Sequence, residues 1–147
     1  MFSVLWCWAM ISNGQTSNFR YDSTLAKNLG ADDHGMKNYV FVILKTGSNK
    51  TTDRAIIDSC FRGHIKNIGR LVESDKLVVA GPFGKNENSY RGIFILNVRT
   101  FEEAAELLNT DPAIKEKLLE AELFHWYGSA ALKEYLNASD KVWKSRW

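Results

Sequence analysis

The chain has only two cysteines among its 147 residues, Cys7 and Cys60. Two thiols so far apart make neither a disulfide framework nor a metal-ligand set. Cys60 falls on an apolar helical pattern and reads as a small buried residue. Charge of one sign is equally scarce. Nineteen basic and seventeen acidic residues leave a net charge of +2. No basic stripe with interleaved aromatics appears, so nucleic acid is not an expected partner. Long hydrophobic runs are missing too. The most apolar stretch, MFSVLWCWAMI, occupies residues 1–11, whereas a bilayer crossing needs roughly 20 residues; no integral membrane span is expected. GPFGKN (81–86) lacks the GxxxxGK[ST] spacing and a following helix, so it is no phosphate loop. No metal or organic cofactor is expected. What remains is an ordinary globular composition, 45% hydrophobic and 24% charged, at a length that suits one domain.

Residues 1–15 read as a secretory leader, with an apolar core followed by Ser12-Asn13-Gly14-Gln15. A basic start and an A-x-A cleavage site are both missing. Two locations therefore stay open: periplasmic or secreted after leader removal, or cytoplasmic. Residues 16–37 form a polar N-terminal extension. Within it Asp22 caps a short helix bearing Leu25, Ala26 and Leu29, and Gly30 ends that helix. Asp32-Asp33-His34 offers three ligand types in a row, but between glycines it reads as a solvated turn.

The compact domain spans 38–128. NYVFVILK (38–45) is rich in β-branched and aromatic residues and reads as a strand. Thr52 or Asp53 caps a long helix over 53–74, followed by strand KLVVAGPF (76–83) and a polar loop. A strand IFILNV (93–98) leads to Thr100 and Glu103, a capping box for a second helix. Asp111-Pro112 starts a short helix through Glu120. A fourth strand covers 122–128, and residues 129–147 form a C-terminal helix and tail. The order βαββαβ predicts an α+β sandwich of the ferredoxin-like kind.

Both alternating sets of the first strand are apolar: Tyr39, Phe41 and Ile43 against Val40, Val42 and Leu44. Two helices cover one face of such a sheet and leave the other bare, which soluble monomers rarely tolerate. A second copy packed by two-fold symmetry would cover it, giving a homodimer. The segment 129–147, with Leu132, Tyr135, Leu136 and Trp143, is the competing cover.

The long helix contains CFRGHIKNIGRL, in which Ile57, Phe61, Ile68 and Leu71 recur at helical spacing and His64 sits among them. Leucine would pack better there. Imidazole titrates near neutrality, so it can take and give protons. Taken alone, His64 is most simply a core histidine, and Asp111 a helix N-cap before Pro112 at the first helical position. Gly63 and Gly69 each cost about 1 kcal/mol in a helix interior and read as sites of close backbone packing.

HIKNIGRLVESDKLVVAGPF, then an apolar strand, then EEAAELLNTDP, resembles the YCII-related family of small proteins over about residues 38–128. LAKNLGADDHGMK is similar to an extension found in a subset of it. The resemblance implies a ferredoxin-like subunit forming a dimeric α/β barrel. It also implies a His–Asp centre, which falls on His64 and Asp111. Similar proteins include a dehydrochlorinase acting on chlorinated hydroquinones, and muconolactone isomerase shares the barrel architecture. The family often carries an aromatic residue after Asp-Pro, where this chain has Ala113. Gly81, Pro82 and Phe83 would wall a ligand pocket, and Tyr90 and Arg91 suit an anionic or phenolic small molecule. The expected function is a cofactor-independent lyase or isomerase working through the His–Asp pair. The alternative is a non-catalytic ligand-binding or accessory module of the same fold.

Overall fold

The computed structural model describes residues 18–144. The expected leader, residues 1–15, lies outside them. Helix α1 (Ser23–Leu29) begins where the Asp22 side chain accepts from the Leu25 N–H. It ends at Gly30, whose φ of 71° is the left-handed conformation glycine adopts without steric cost. Strand β1 (Met36–Thr46) follows. Helix α2 (Arg54–Glu73) is capped by Asp53, which accepts from the N–H groups of Ala55 and Ile56. Strands β2 (Leu77–Pro82) and β3 (Tyr90–Leu96) form a hairpin. Helix α3 (Phe101–Leu108) opens on the Thr100–Glu103 capping box, and α4 (Pro112–Lys115) is a single turn. Strand β4 (Leu119–Ser129) leads into a 3₁₀ segment (Ala130–Tyr135) and α5 (Leu136–Val142).

The strands make one open antiparallel sheet in the order β2-β3-β1-β4. The fold is α+β, and the order is that of a split βαβ arrangement. Strand β1 lies inside the sheet, as its doubly apolar text requires. Val40, Val42 and Leu44 join Phe94, Leu96 and residues of α2, α3 and α4 in the main core. Tyr39, Val78 and Ile95 form a second cluster on the other face.

That second cluster is covered in part by the chain itself. Leu132 packs on it, and the Tyr135 hydroxyl donates to the Val78 carbonyl at 2.6 Å. Tyr39 donates to the Ser129 carbonyl at 2.9 Å, fixing the start of the 3₁₀ segment. The C-terminal cover weighed from the sequence is therefore present. Farther along the same face, Phe41, Ile43 and Ile93 stay half-buried and Phe124 is exposed.

Several boundaries differ from the sequence reading, each for a pairing reason. β1 starts at Met36 because the β4 ladder runs from Met36↔Ser129 to Thr46↔Leu119. β4 correspondingly starts at Leu119, and the short helix ends at Lys115 rather than Glu120. Lys117, at φ 55°, turns the chain between them. β3 starts at Tyr90, which pairs with Lys45, so Tyr90 and Arg91 belong to a strand and not to a loop. The segment after β4 is first 3₁₀ and then α-helical, where one C-terminal helix followed by a tail was expected.

The N-terminal extension is tied to this frame by Lys37. Its Nζ donates to the Leu29 carbonyl at 3.3 Å and to Asn97 Oδ1 at 2.7 Å. Burial pushes its ammonium below the usual 10.5. Burial pushes the Tyr39 phenol above its usual 10.0. Between Lys37's folded value and 10.5 the unfolded chain binds more protons, so stability rises with pH. Above 10.0 the folded chain holds the Tyr39 proton longer, so stability falls. Urea midpoints measured across alkaline pH are expected to climb towards pH 10 and then drop, and Lys37→Met should flatten the climb. A climb that survives in Lys37→Met would assign it elsewhere.

Candidate functional site

Helix α2 buries Cys60, His64, Asn67 and Leu71, a stripe spaced at three and four residues that faces the sheet. Phe61, Ile68 and Val72 flank it, partly buried. The centre of the stripe thus passes through two polar side chains. The His64 ring lies against Phe94 of β3, with centroids 5.8 Å apart and planes 21° off parallel. Phe61 meets it edge-on at 6.2 Å. These two aromatics hold the imidazole between helix and sheet.

Asp111 arrives from the α3–α4 junction. As N-cap of α4 it accepts the Ala113 N–H on Oδ1 at 2.9 Å. Its Oδ2 meets His64 Nδ1 at 2.6 Å. One oxygen caps the helix and the other holds the histidine, so the two roles expected of Asp111 coexist. The side chains are 0% and 11% exposed for Asp111 and His64. An ionised carboxylate only accepts, so Nδ1 carries the hydrogen, and in the neutral form of the ring Nε2 keeps its lone pair. No described residue hydrogen-bonds Nε2. Among the described residues, Asn67 Nδ2 is the only buried side-chain nitrogen or oxygen without a partner.

Glycine makes this meeting geometrically possible. A Cβ on Gly63 would fall 2.7 Å from Pro112 Cγ. The residue before His64 therefore touches the residue after Asp111. Any side chain at 63 would push α4 outward and stretch the short bond. Gly69 has nothing within 4 Å of the equivalent position. Close packing explains the first glycine and does not explain the second.

A polar cluster adjoins the pair. Asn67 Oδ1 accepts from Arg70 Nη2 at 2.7 Å and Nε at 3.2 Å. Arg70 Nη2 also donates to the Thr110 hydroxyl at 2.6 Å. That hydroxyl has one hydrogen, directed to the Leu107 carbonyl at 2.6 Å or to Asn67 Oδ1 at 3.1 Å. Asn67, Arg70 and Thr110 went unnoticed in the sequence. The available signal was Asn67 itself, a second polar residue three positions after His64 on the apolar stripe.

A cavity of about 670 Å³ opens on the outer side of α2, lined by Asp58, Phe61, Arg62, Ile65 and Lys66. Phe61, one of these, also meets the His64 ring edge-on. The other expected pocket residues sit towards the tip of the β2–β3 hairpin. Gly81 pairs with Ile93, and Pro82 with Gly92. Phe83 packs on Tyr90 at 6.1 Å. Tyr90 is four residues from Phe94, roughly 13 Å along the strand. Arg91 is exposed beside it. The ring neighbours of His64 are thus Phe61 and Phe94 rather than the hairpin set. No group of histidine, cysteine, aspartate or glutamate side chains suited to holding a metal occurs among the described residues. No described helix is long and apolar enough to cross a membrane.

The two glycines separate packing from propensity. Alanine in a helix interior gains up to about 1 kcal/mol over glycine. At Gly69 that gain is unopposed, and Gly69→Ala is expected to raise stability by about 0.5–1 kcal/mol. At Gly63 the clash with a proline ring outweighs it, and Gly63→Ala should lose about 1–3 kcal/mol. Chemical denaturation of both variants checks the contrast. Equal effects at the two positions would remove the packing explanation.

No family model matches the chain, and no curated protein matches it. Among solved structures, the chain is weakly similar to the 5-chloro-2-hydroxyhydroquinone dehydrochlorinase of Burkholderia phenoliruptrix, solved with 2,5-dihydroxybenzoquinone. The identity is 20%, the match covers 59% of this chain and 92% of that one, and the TM-score is 0.41.

Proposed function

We propose that the chain is a cofactor-independent acid–base enzyme of the lyase or isomerase type, acting on a small polar organic molecule. One observation carries this reading: a buried carboxylate holds Nδ1 of an imidazole whose Nε2 has no partner among the described residues. In this reading Nε2 takes a proton from the substrate. The C–H or O–H bond breaks, its electron pair stays on the substrate, and the Asp111 carboxylate stabilises the imidazolium. Return of that proton to another atom completes an isomerisation, and departure of a leaving group with the pair completes an elimination. Membership of the YCII-related family fits the quoted motifs and this pair. Gly81, Pro82, Phe83, Tyr90 and Arg91 would supply the outer part of the ligand pocket.

Deuterium incorporation from D₂O into small enones, lactones and phenols reads the proton transfer directly. His64→Ala is expected to lower it by about 10²–10⁴-fold with the circular dichroism retained. Asp111→Ser keeps a helix cap but removes the partner of Nδ1, and should also lose exchange. A wild type that exchanges nothing, or a His64→Ala variant that exchanges normally, would sink the reading.

The same reading includes a homodimer through the sheet face opposite the helices. Phe41, Ile43, Ile93 and Phe124 are the apolar surface that the C-terminal segment leaves there. Packing two such faces would close the paired sheets into a barrel. Sedimentation should show a dimer at micromolar concentration, converted to a folded monomer by Phe124→Arg. A wild-type monomer removes the dimer.

A further inference from the structure

The pair does not account for Asn67. Its side chain is nine-tenths buried, with 6% of the residue exposed, on the same face of α2 as His64 and one turn away. Oδ1 is saturated by Arg70 and lies within reach of Thr110. The arginine fixes which end of the amide is oxygen, since a guanidinium only donates. The other end, Nδ2, has no partner among the described residues. A buried donor left unsatisfied is costly, and native proteins rarely keep one without use. Donation by a cation to Oδ1 draws electron density from the amide and makes the N–H groups stronger donors.

Resting on the acid–base reading of His64, we propose that Asn67 Nδ2 is the oxygen-binding donor of the site, which selects small enolisable carbonyl compounds or their phenol tautomers. Such a substrate lies with its acidic C–H towards Nε2 and its oxygen towards Nδ2. As the C–H bond breaks, the proton passes to Nε2 and the electron pair moves through the carbon skeleton onto the oxygen. The amide N–H groups bind the enolate so formed. The proton then returns from Nε2 to another carbon of the same conjugated system, and no second reactant is needed. Arg70 and Thr110 are positioning residues that hold the amide in this orientation.

Asn67→Asp tests the donor without removing the scaffold. The carboxylate still accepts from Arg70 and Thr110 and is neutralised by the guanidinium, but it has no N–H to offer. The probe is cyclohex-2-enone, a neutral enolisable carbonyl compound. On the wild type its carbonyl stretch should shift to lower frequency, and hydrogens alpha or gamma to the carbonyl should exchange in D₂O. Asn67→Asp should melt within a few degrees of the wild type, lose the carbonyl shift and bind at least about tenfold more weakly. His64→Ala should keep the shift and lose the exchange. A carbonyl shift unchanged in Asn67→Asp overturns the assignment of Nδ2 while leaving the His64 reading intact. Exchange unchanged in His64→Ala overturns that reading, with the donor still read from the shift. Absence of any shift on the wild type overturns the Asn67 proposal outright.

Discussion

Everything at this site depends on a 2.6 Å contact between His64 Nδ1 and Asp111 Oδ2. A carboxylate with no solvent exposure is tolerable only when its oxygens are matched by donors. Asp111 finds one donor in the backbone of its own helix and the other in an imidazole 47 positions away. The bond therefore joins two helices and orients a ring at once. Removing either partner leaves an uncompensated buried polar group, at a cost in stability that the rest of the core must absorb.

The contact in turn depends on how closely two backbones approach. Gly63 against Pro112 sets the separation of α2 and α4. Proline suits the first turn of α4 because no N–H is needed there and its φ is already helical. It also presents a rigid ring that a glycine can receive. Residues beside the functional pair thus perform the spacing, and the functional side chains occupy the gap so defined. Phe94 and Phe61 complete the cradle from sheet and helix.

The sheet answers to a different constraint. β1 is apolar on both faces, and helices α2, α3 and α4 cover only one. The C-terminal segment covers the end of the other face near Tyr39 and Val78, anchored by backbone carbonyls that accept from Tyr39 and Tyr135. The rest of that face, around Phe41 and Phe124, is the part that a second molecule would bury. The C-terminal cover and the face left for the proposed second copy lie at different ends of one surface.

Local chemistry made much of this legible in the sequence. The caps at Asp22, Asp53 and Thr100, the glycine stop at position 30, and the order of strands and helices all follow from short-range hydrogen bonding and periodicity. These depend on neighbours a few residues apart, which a sequence displays directly. His64 stood out because a polar ring interrupted an apolar stripe, while its pairing with Asp111 came from family resemblance and not from spacing. Boundaries such as β3 at Tyr90 and β4 at Leu119 were decided by ladder partners far along the chain. The Gly63–Pro112 contact, the saturated oxygen and idle nitrogen of Asn67, and the place of Phe61 beside the imidazole were likewise decided by tertiary structure alone. They are distances between segments that no local pattern encodes, set only when the helices close on the sheet.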